Sequence, residues 1–259
     1  MIRIGANPIC WSNDDMIEIG GDIPLEQCLS EARDIGLEGM EKGNKMPNTA
    51  PELKAKLADQ VAALRGWNDR WAADSAATSL AVFWGEALWA EVKQPPDGEA
   101  HSMVDIMAAK ATPQQSLAAL VTASDRLTTD FGTWRTPWGQ INRFQRLNDD
   151  IDQTFHDDGA SIPVPFTSAQ WGSLASFGAR RYPGTKRYYG TSGNSFVAAV
   201  EFGPKVRAFA VTAGGESGDP KSPHFDDQAQ RYTLGNLREV YFYPDQLVGH
   251  SERRYHPGE

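Results

Sequence analysis

The sequence predicts an α+β fold in which helices precede strands. Residues 60 to about 130 carry apolar and aromatic residues at helical spacing, whereas from about residue 131 turn-forming residues multiply and apolar residues alternate as they do in strands. Helices followed by strands are typical of an α+β layer arrangement. Residues 1 to about 59 alternate strand and helix instead, which is the order of a parallel α/β fold. We therefore expect two unlike segments, 1–59 and 60–259.

The composition is that of an ordinary globular protein. Of the 259 residues, 40% are hydrophobic and 23% are charged, which argues against wholesale disorder. A net charge of −9 argues against nonspecific binding to nucleic acid or to an anionic membrane. No apolar run approaches the roughly 18–20 residues of a membrane-spanning helix. Cys10 and Cys28 make no disulfide framework, and we favour buried thiols over a pair formed in an oxidising compartment.

The first segment predicts a strand, a helix, a second strand and the start of a second helix. Residues 2–6 alternate apolar and polar positions. Asp22 and Pro24 are start signals for a helix that ends near Gly36. Residues 37–41 predict the second strand, and 51–58 open the second helix. A closed eight-stranded barrel needs roughly 250 residues, so this segment cannot close one.

The second segment predicts helices and then strands. The helical stretches are 61–71, 78–92 and 113–129. Two alternating runs, 194–202 and 205–212, meet at Gly203 and Pro204 and predict a hairpin. Turn-forming residues at 214–220 predict an irregular loop, and a short helix is expected at 226–233.

The first segment resembles a known enzyme family. Residues 4–15, 20–22, 24–32 and 39–45 are similar to the start of the myo-inosose-2 dehydratases, which are metal-dependent TIM-barrel enzymes of inositol breakdown. The resemblance implies a βαβα fragment of a barrel, with Asn7, Trp11 and Glu41 near the ends of strands where catalytic groups cluster. The metal ligands of that family come from later strands, so the resemblance implies no metal site in this segment.

The second segment resembles a different family. The matching residues are 78–86, 136–144, 171–178, 190–195 and 214–225, followed by Asp227 and Gln228. They are similar to the C-terminal part of the penicillin acylases, closest to acyl-homoserine lactone acylases, which are N-terminal nucleophile (Ntn) hydrolases. The resemblance covers about 60–259 and implies an incomplete piece of the αββα Ntn fold, from the large catalytic subunit. We place the junction of the two segments within residues 55–64.

The chemistry of the acylase family determines which functional residues the resemblance can assign in this sequence. Its nucleophile is an N-terminal serine whose own α-amine acts as the base, while hydrogen-bond donors hold the oxyanion. The resemblance places these groups, and the small subunit, upstream of the matched region. We therefore assign no catalytic residue and no cofactor, and expect an acylase-derived chain that is inactive by itself, with the remaining acylase subunit or segment as the implied partner. The alternatives are a dehydratase-like lyase fragment and a non-functional chimeric chain.

Candidate binding residues lie in one motif. We expect a cleft around Trp138, Asn142 and Arg143, which we assign as substrate-binding residues. The tryptophans of the second segment predict core packing rather than an acyl-chain pocket, because aromatic side chains bury large areas wherever a core exists. They are Trp67, Trp71, Trp84, Trp89, Trp134, Trp138 and Trp171.

Four other sets of residues favour structural interpretations. Ser217, Asp219 and His224 share one short loop, which rarely arranges a catalytic triad. Cleavage before Ser173 would leave too few residues for a four-layer Ntn core. The histidines show no pair at metal-ligand spacing. A solvated loop is favoured over a cation site for the aspartates at 149, 150, 152, 157 and 158.

The beginning of the sequence predicts no secretory signal. Residues 1–8 are polar and are broken by Pro8, whereas a signal peptide needs an apolar stretch of about 7–15 residues. We therefore expect a cytoplasmic location, although the acylase family is usually exported.

Overall fold

The chain folds into helices followed by small sheets. The computed structural model describes residues 5–6, 11, 23–37, 39–40, 57–92, 102–148, 154–251, 253–256 and 258. Within these ranges the strands form a two-stranded, a four-stranded and a three-stranded sheet. The α+β class is thereby confirmed. No helix among the described residues is long and apolar enough to cross a bilayer.

The N-terminal elements follow the predicted strand–helix–strand order. Strand β1 (Gly5–Ala6) pairs in parallel with β2 (Gly39–Met40), and helix α1 (Leu25–Asp34) connects them. Trp11 is buried with Cys28 and Ala32 of α1, and its indole nitrogen donates to Glu31 at 2.6 Å. Cys28 is a buried free thiol, as expected. Asn7, Cys10, Asp22, Glu41 and the helix start at 51–56 lie outside the described residues.

Four helices form the next layer, and one of them is central. They are α2 (Ala58–Arg65), α3 (Ala76–Glu91), α4 (Met103–Lys110) and α5 (Pro113–Phe131). No side chain of α3 is exposed before its last turn, as expected of a helix that is apolar all round. Helix α5 begins with a capping box between Thr112 and Gln115 and ends at Gly132, whose φ is 86°.

The sequence predictions for these helices hold except in two places. The helix expected at 61–71 begins at Ala58 and ends at Arg65, where Gly66 follows and the chain becomes irregular. Helix α4 was not predicted, because its short apolar run offers too little periodicity. The main core lies between α3, α5 and the four-stranded sheet. Its largest fully buried side chains are Leu80, Phe83, Leu120, Leu127 and Ile141.

The four-stranded sheet has β3 and β6 at its centre. Helix α6 (Trp138–Ile141) runs directly into β3 (Asn142–Phe144). Strand β3 is antiparallel to β4 (Ile162–Pro163) and parallel to β6 (Tyr188–Gly193), so that Asn142 lies opposite Tyr188. Strand β5 (Phe177–Arg180) pairs antiparallel with β6 at one edge. The sequence predicts β structure here but not these individual strands.

The three-stranded sheet contains the predicted hairpin. Strand β7 (Phe196–Glu201) is antiparallel to β8 (Arg207–Thr212), and β9 (Arg238–Val240) pairs with the other side of β8. Residues 214–220 hold neither helix nor strand, and helix α7 (Ala229–Leu234) follows, so the predicted loop and helix are confirmed. A core of Val164, Phe177, Val211 and Tyr232 joins this sheet to the previous one. Short 3-10 helices form at Ala169–Trp171 and Pro244–Leu247.

Tyr232 makes the stability of this junction sensitive to alkali. Its buried hydroxyl donates to the carbonyl oxygen of Asn194 at 2.8 Å, and burial raises the pKa of Tyr232 from 10.0 to about 12. The stabilisation is therefore complete below pH 10, where both folded and unfolded chains hold the proton, and is lost as the pH rises through about 12. We predict that the free energy of unfolding of Tyr232→Phe falls less steeply between pH 10 and about pH 12 than that of the parent. Urea denaturation at several pH values measures this difference.

The exposed Tyr255 provides the matched control. Tyr255→Phe should follow the parent, because its ring lies outside this core. Parallel curves for the parent and Tyr232→Phe would contradict the prediction.

Candidate functional site

Two adjoining cavities share the indole of Trp171. The first, the polar recess, has a volume of about 450 Å³ and lies between α3, the α6–β3 turn and the β5–β6 pair. The second, the apolar cavity, has a volume of about 820 Å³ and is bordered mainly by α3 and α4. Val82, Gln170 and Trp171 line both. The two cavities are therefore neighbours that share one wall.

The α6–β3 turn is held in place by the loop before α3. The backbone nitrogen of Trp138 donates to Ser75 at 3.1 Å, and that of Gly139 donates to Ala73 at 2.7 Å. A Cβ atom at Gly139 would lie 2.8 Å from the Cβ of Ala73, so only glycine permits this approach. The turn places Trp138 and Asn142, 2% and 0% exposed, in the wall of the polar recess.

Asn142 has a defined orientation and an unused oxygen. Its Nδ2 donates to the carbonyl oxygens of Val164 at 3.0 Å and Phe166 at 2.9 Å. These two acceptors identify the nitrogen, so the Oδ1 atom occupies the other position. Within the described part of the chain, neither Asn142 Oδ1 nor Trp138 Nε1 has a hydrogen-bond partner. Leaving such buried groups unpaired costs about 1–3 kcal/mol each, and both atoms are buried within the wall rather than presented to the recess.

Arg143, the third predicted binding residue, makes structural contacts. Its Nε donates to Ser161 Oγ at 3.0 Å, its Nη1 donates to the carbonyl oxygen of Gly139 at 2.8 Å, and its Nη2 donates to the carbonyl oxygen of Ser161. Burial, and then the neighbouring charge of Arg187, lower the pKa of Arg143. The structure thus brings Trp138 and Asn142 together in the recess, whereas Arg143 is not among its described lining residues. Substrate binding by all three stays a prediction.

The tryptophans divide between core and cavity. Trp71, Trp84 and Trp171 line the apolar cavity and also pack against the main core. Trp89 packs edge-on against Trp171, with ring centroids 5.8 Å apart. Trp134 packs on the core, and Trp67 contacts Trp71. Core packing is therefore confirmed for much of the set, but four of the rings, those of Trp71, Trp84, Trp138 and Trp171, also border one of the two cavities.

An ionic cluster forms the floor of the polar recess. Arg126 Nη1 lies 3.0 Å from Glu86 Oε2, and the hydroxyl of Tyr188 donates to the same oxygen at 2.8 Å. Arg126 Nη2 donates to the Tyr188 oxygen at 2.6 Å, and the guanidinium lies 4.6 Å from the ring centroid of Phe83. Burial, reinforced by the charge of Glu86, raises the pKa of Tyr188 well above its ordinary value. The hydroxyl of Tyr188 therefore keeps its proton at neutral pH and acts as a hydrogen-bond donor.

The cluster extends to a second carboxylate and was not predicted. Asp130 Oδ2 lies 2.9 Å from Arg181 and 4.0 Å from Arg126. The sequence signal for this cluster is Glu86, an acidic residue in the middle of a largely apolar helix. A charge in such a position indicates a partner of opposite charge, because a buried charge needs one. Its partners lie 40 and 102 residues away, so only tertiary structure identifies them.

The remaining predicted constellations have structural contacts. Ser217 Oγ accepts from the backbone of Asp219 at 3.1 Å, whereas the ring of His224 contacts Asp227 at 2.9 Å. Ser173 is buried and donates to the carbonyl oxygen of Ala175. Asp157 accepts from the backbone nitrogens of 186 and 187 and from Tyr189, while residues 149, 150 and 152 are not described. In the described ranges, no group of three or more His, Cys, Asp or Glu residues is placed to hold a metal.

We predict that Arg126→Met lowers the free energy of unfolding by about 1–2 kcal/mol. The substitution leaves the carboxylate of Glu86 without its cation. The destabilisation is smaller than for a fully buried ion pair, because the side chains of Arg126 and Glu86 are 37% and 30% exposed. Urea denaturation at neutral pH measures it.

The surface pair of Arg135 and Asp59 is the control. Its N–O distance is also 3.0 Å, but the side chains are 58% and 70% exposed. Arg135→Met should cost less than about 0.5 kcal/mol. Equal losses for the two variants would argue against a special role for the ionic cluster.

Comparison with known proteins gives two kinds of match. The family model described as penicillin amidase matches residues 11–248. The rhizopine catabolism protein MocC of Rhizobium meliloti is 55% identical over 56 residues, 22% of this chain and 17% of that protein. An inosose dehydratase of Geobacillus thermodenitrificans is 47% identical over 57 residues, 22% of this chain and 19% of that protein. The chain thus spans less than a fifth of the length of these curated relatives.

These matches confirm both resemblances at different scales. The short matches to MocC and to inosose dehydratase each cover about a fifth of the chain. The family match begins at residue 11, whereas we expect the acylase-like segment to begin near residue 60, so the junction at 55–64 stays a prediction. Because the family model matches residues 11–248, which is most of the sequence, the chain belongs to the penicillin amidase family.

Proposed function

We propose that this chain is an acylase-type polypeptide that binds the acyl group of an amide in the apolar cavity and does not cleave the amide by itself. The observation that carries the proposal is the apolar cavity itself, which opens beside a polar recess along a shared wall. Amide hydrolases of this family handle acyl-homoserine lactones or penicillin-type amides, both of which join an apolar acyl group to a polar head.

The apolar cavity is suited to a hydrocarbon chain. Its volume of about 820 Å³ falls within the roughly 300–1,000 Å³ of small-molecule sites. Leu88 and Met107 contribute aliphatic surface from facing helices, and Trp84 contributes an indole face. The indole nitrogen of Trp84 donates to the carbonyl oxygen of Ser116 at 2.8 Å, so its polar atom is already satisfied. Burying an acyl chain here gains about 0.8 kcal/mol for each methylene group.

Trp171 is the partition between the two compartments. A Cβ atom at Gly85 would lie 2.8 Å from the indole ring of Trp171, so the absent side chain lets the ring lie against helix α3. Trp89 contacts the same ring from the side. The ring position therefore depends on the glycine within the apolar run of α3.

Support for the lack of hydrolysis comes from the hydroxyl groups near the cavities. Nucleophilic catalysis needs a serine activated by an adjacent base. Ser102 Oγ donates to Asp105 and caps α4, and Ser168 Oγ accepts from the backbone of Gln170. Both serines are internal to the sequence, so neither carries the free α-amine that serves as the base in this family. We propose that the nucleophile is supplied by an acylase segment that binds this chain. The lyase alternative has only the 56- and 57-residue matches in its favour.

We predict that Ala108→Phe weakens binding of N-octanoyl-homoserine lactone at least about fivefold. Ala108 lines the apolar cavity from an exposed position on α4, so a phenyl ring fills the volume that an acyl chain would occupy. Isothermal titration calorimetry measures the affinity. Binding by the parent should also tighten about threefold to fourfold for each added methylene, following the burial of about 0.8 kcal/mol.

Ala109→Phe is the matched control. Ala109 is exposed on the same helix but is not among the described residues that line the cavity. Its variant should bind as the parent does. Equal weakening by both variants, or no dependence on chain length, would count against an acyl site in this cavity.

We also predict that the purified chain releases no amine from N-octanoyl-homoserine lactone or benzylpenicillin. Amine release is followed with a fluorogenic amine reagent. Turnover that survives in a second preparation and disappears on heat denaturation would refute the proposed need for a separate nucleophile.

A further inference from the structure

We infer that two copies of this chain pair through the open edge of strand β7, which joins their three-stranded sheets into one continuous sheet with two-fold symmetry. Strand β7 lies at one end of the three-stranded sheet and has β8 on its inner side. Among the described residues, no strand pairs with its outer side. This edge lies outside the linings of both cavities, so the inference is independent of the proposed function.

The outer side of β7 carries unpaired backbone groups. The backbone nitrogen of Ala213 donates to the carbonyl oxygen of Ser195 at 2.8 Å, in the same register as the β7–β8 ladder. Odd-numbered residues of β7 therefore exchange hydrogen bonds with β8. The N–H and C=O groups of the even-numbered residues point to the outer side, where no backbone group of the described chain binds them. These residues are Phe196, Ala198 and Val200.

This edge lacks the features that keep edge strands apart. Natural edges carry lysine or proline, contain a bulge, or are covered by a loop. Residues 196–201 contain neither lysine nor proline, and their ladder with β8 runs without a register shift. Every residue of β7 except Val197 is exposed. Because Val197 packs on the core that contains Val211, the strand cannot turn its other face outward.

The side chains suit an antiparallel partner with the same sequence. With the two-fold axis at Ala199, Phe196 of each copy lies opposite Phe202 of the other copy. Both rings belong to the same face of the sheet, and they are 60% and 84% exposed. This register also brings the even-numbered residues of both strands opposite one another, as hydrogen-bonded pairs require. The dimer therefore satisfies the unpaired backbone groups and forms two cross-strand aromatic pairs.

Charge does not oppose this register. Glu201 is the charged residue of β7, and its carboxylate lies 3.8 Å from Arg207 on β8. In the dimer, Glu201 lies opposite Val197 of the other copy, so the two Glu201 positions are about 14 Å apart along the strand. That separation exceeds the screening length of about 8 Å at physiological ionic strength. No pair of like charges therefore meets across the interface.

The available contact area fits a weak dimer. An aromatic side chain buries about 150–250 Å² in full. The exposed parts of Phe196 and Phe202 therefore offer about 200–350 Å² in each copy, whereas a standard interface uses about 800 Å² per partner. The backbone ladder adds to the aromatic contact. We expect a dissociation constant on the order of 10–100 μM.

The first test is the dependence of mass on concentration. Sedimentation equilibrium of the full chain, in about 0.15 M salt, covers concentrations from about 2 to about 200 μM, on both sides of the expected dissociation constant. The mass should rise from that of the monomer towards twice that value. A mass that stays at the monomer throughout, or that grows beyond the dimer, overturns the inference.

Charge exchange at Ala199 tests the position of the axis. Ala199 is exposed and lies opposite itself in the dimer. Ala199→Lys and Ala199→Glu each place like charges about 5 Å apart at the Cβ atoms, so each variant should raise the dissociation constant at least about tenfold. An equimolar mixture should recover the affinity of the parent, because lysine then faces glutamate. Leu174→Lys and Leu174→Glu are the controls, at a fully exposed side chain outside β7, and should dimerise as the parent does.

Hydrogen exchange of the parent gives a measurement that needs no variant. The segment that contains Ala198 and Val200 should exchange at least about twofold more slowly at the highest concentration than at the lowest, because its outward N–H groups become bonded. A thermal melt checks that both Ala199 variants are folded. Dimers that persist in both variants, a mixture of folded variants that stays monomeric, or unchanged exchange in a dimerising parent would each overturn the inference.

Discussion

The contact among Glu86, Arg126 and Tyr188 connects the helical layer to the four-stranded sheet. Glu86 lies on α3, Arg126 on α5 and Tyr188 on β6. A carboxylate inside a packed layer is tolerated because a guanidinium and a neutral hydroxyl both bind it. Phe83 and Trp138 pack against the ring of Tyr188, so the same side chain that satisfies the charge also joins the apolar core. The floor of the polar recess is therefore fixed by this contact.

The α6–β3 turn shows how backbone geometry positions two buried side chains in the wall of the polar recess. Gly139 lets the turn approach Ala73 closely, and the side-chain nitrogen of Asn142 is committed to two carbonyl groups. These constraints leave an indole N–H and an amide oxygen in one buried wall without protein partners among the described residues. Folded proteins pair more than nine-tenths of such groups. Trp138 Nε1 and Asn142 Oδ1 are exceptions to this pairing, and both atoms are buried within the wall.

The penicillin amidase family model matches residues 11–248, and the short similarities to MocC and to inosose dehydratase each cover about a fifth of the chain. The parallel pair of β1 and β2 around α1 has its own small core of Trp11, Cys28 and Ala32. The two cavities are built from residues between 71 and 192, within the span of the family match. Both cavities therefore lie in the part of the chain that the family model matches.

The sequence by itself determined the elements whose signals are local. Apolar periodicity identified α3 and α5, alternation identified the hairpin of β7 and β8, and turn chemistry identified the loop at 214–220. The assignment of Trp138, Asn142 and Arg143 as substrate-binding residues from their motif stays a prediction. Tertiary structure alone decided the short strands β3 to β6, the ionic cluster and the structural role of Arg143. These depend on partners far apart in the chain, and local periodicity carries no information about which distant residue will satisfy a buried charge or an unpaired strand.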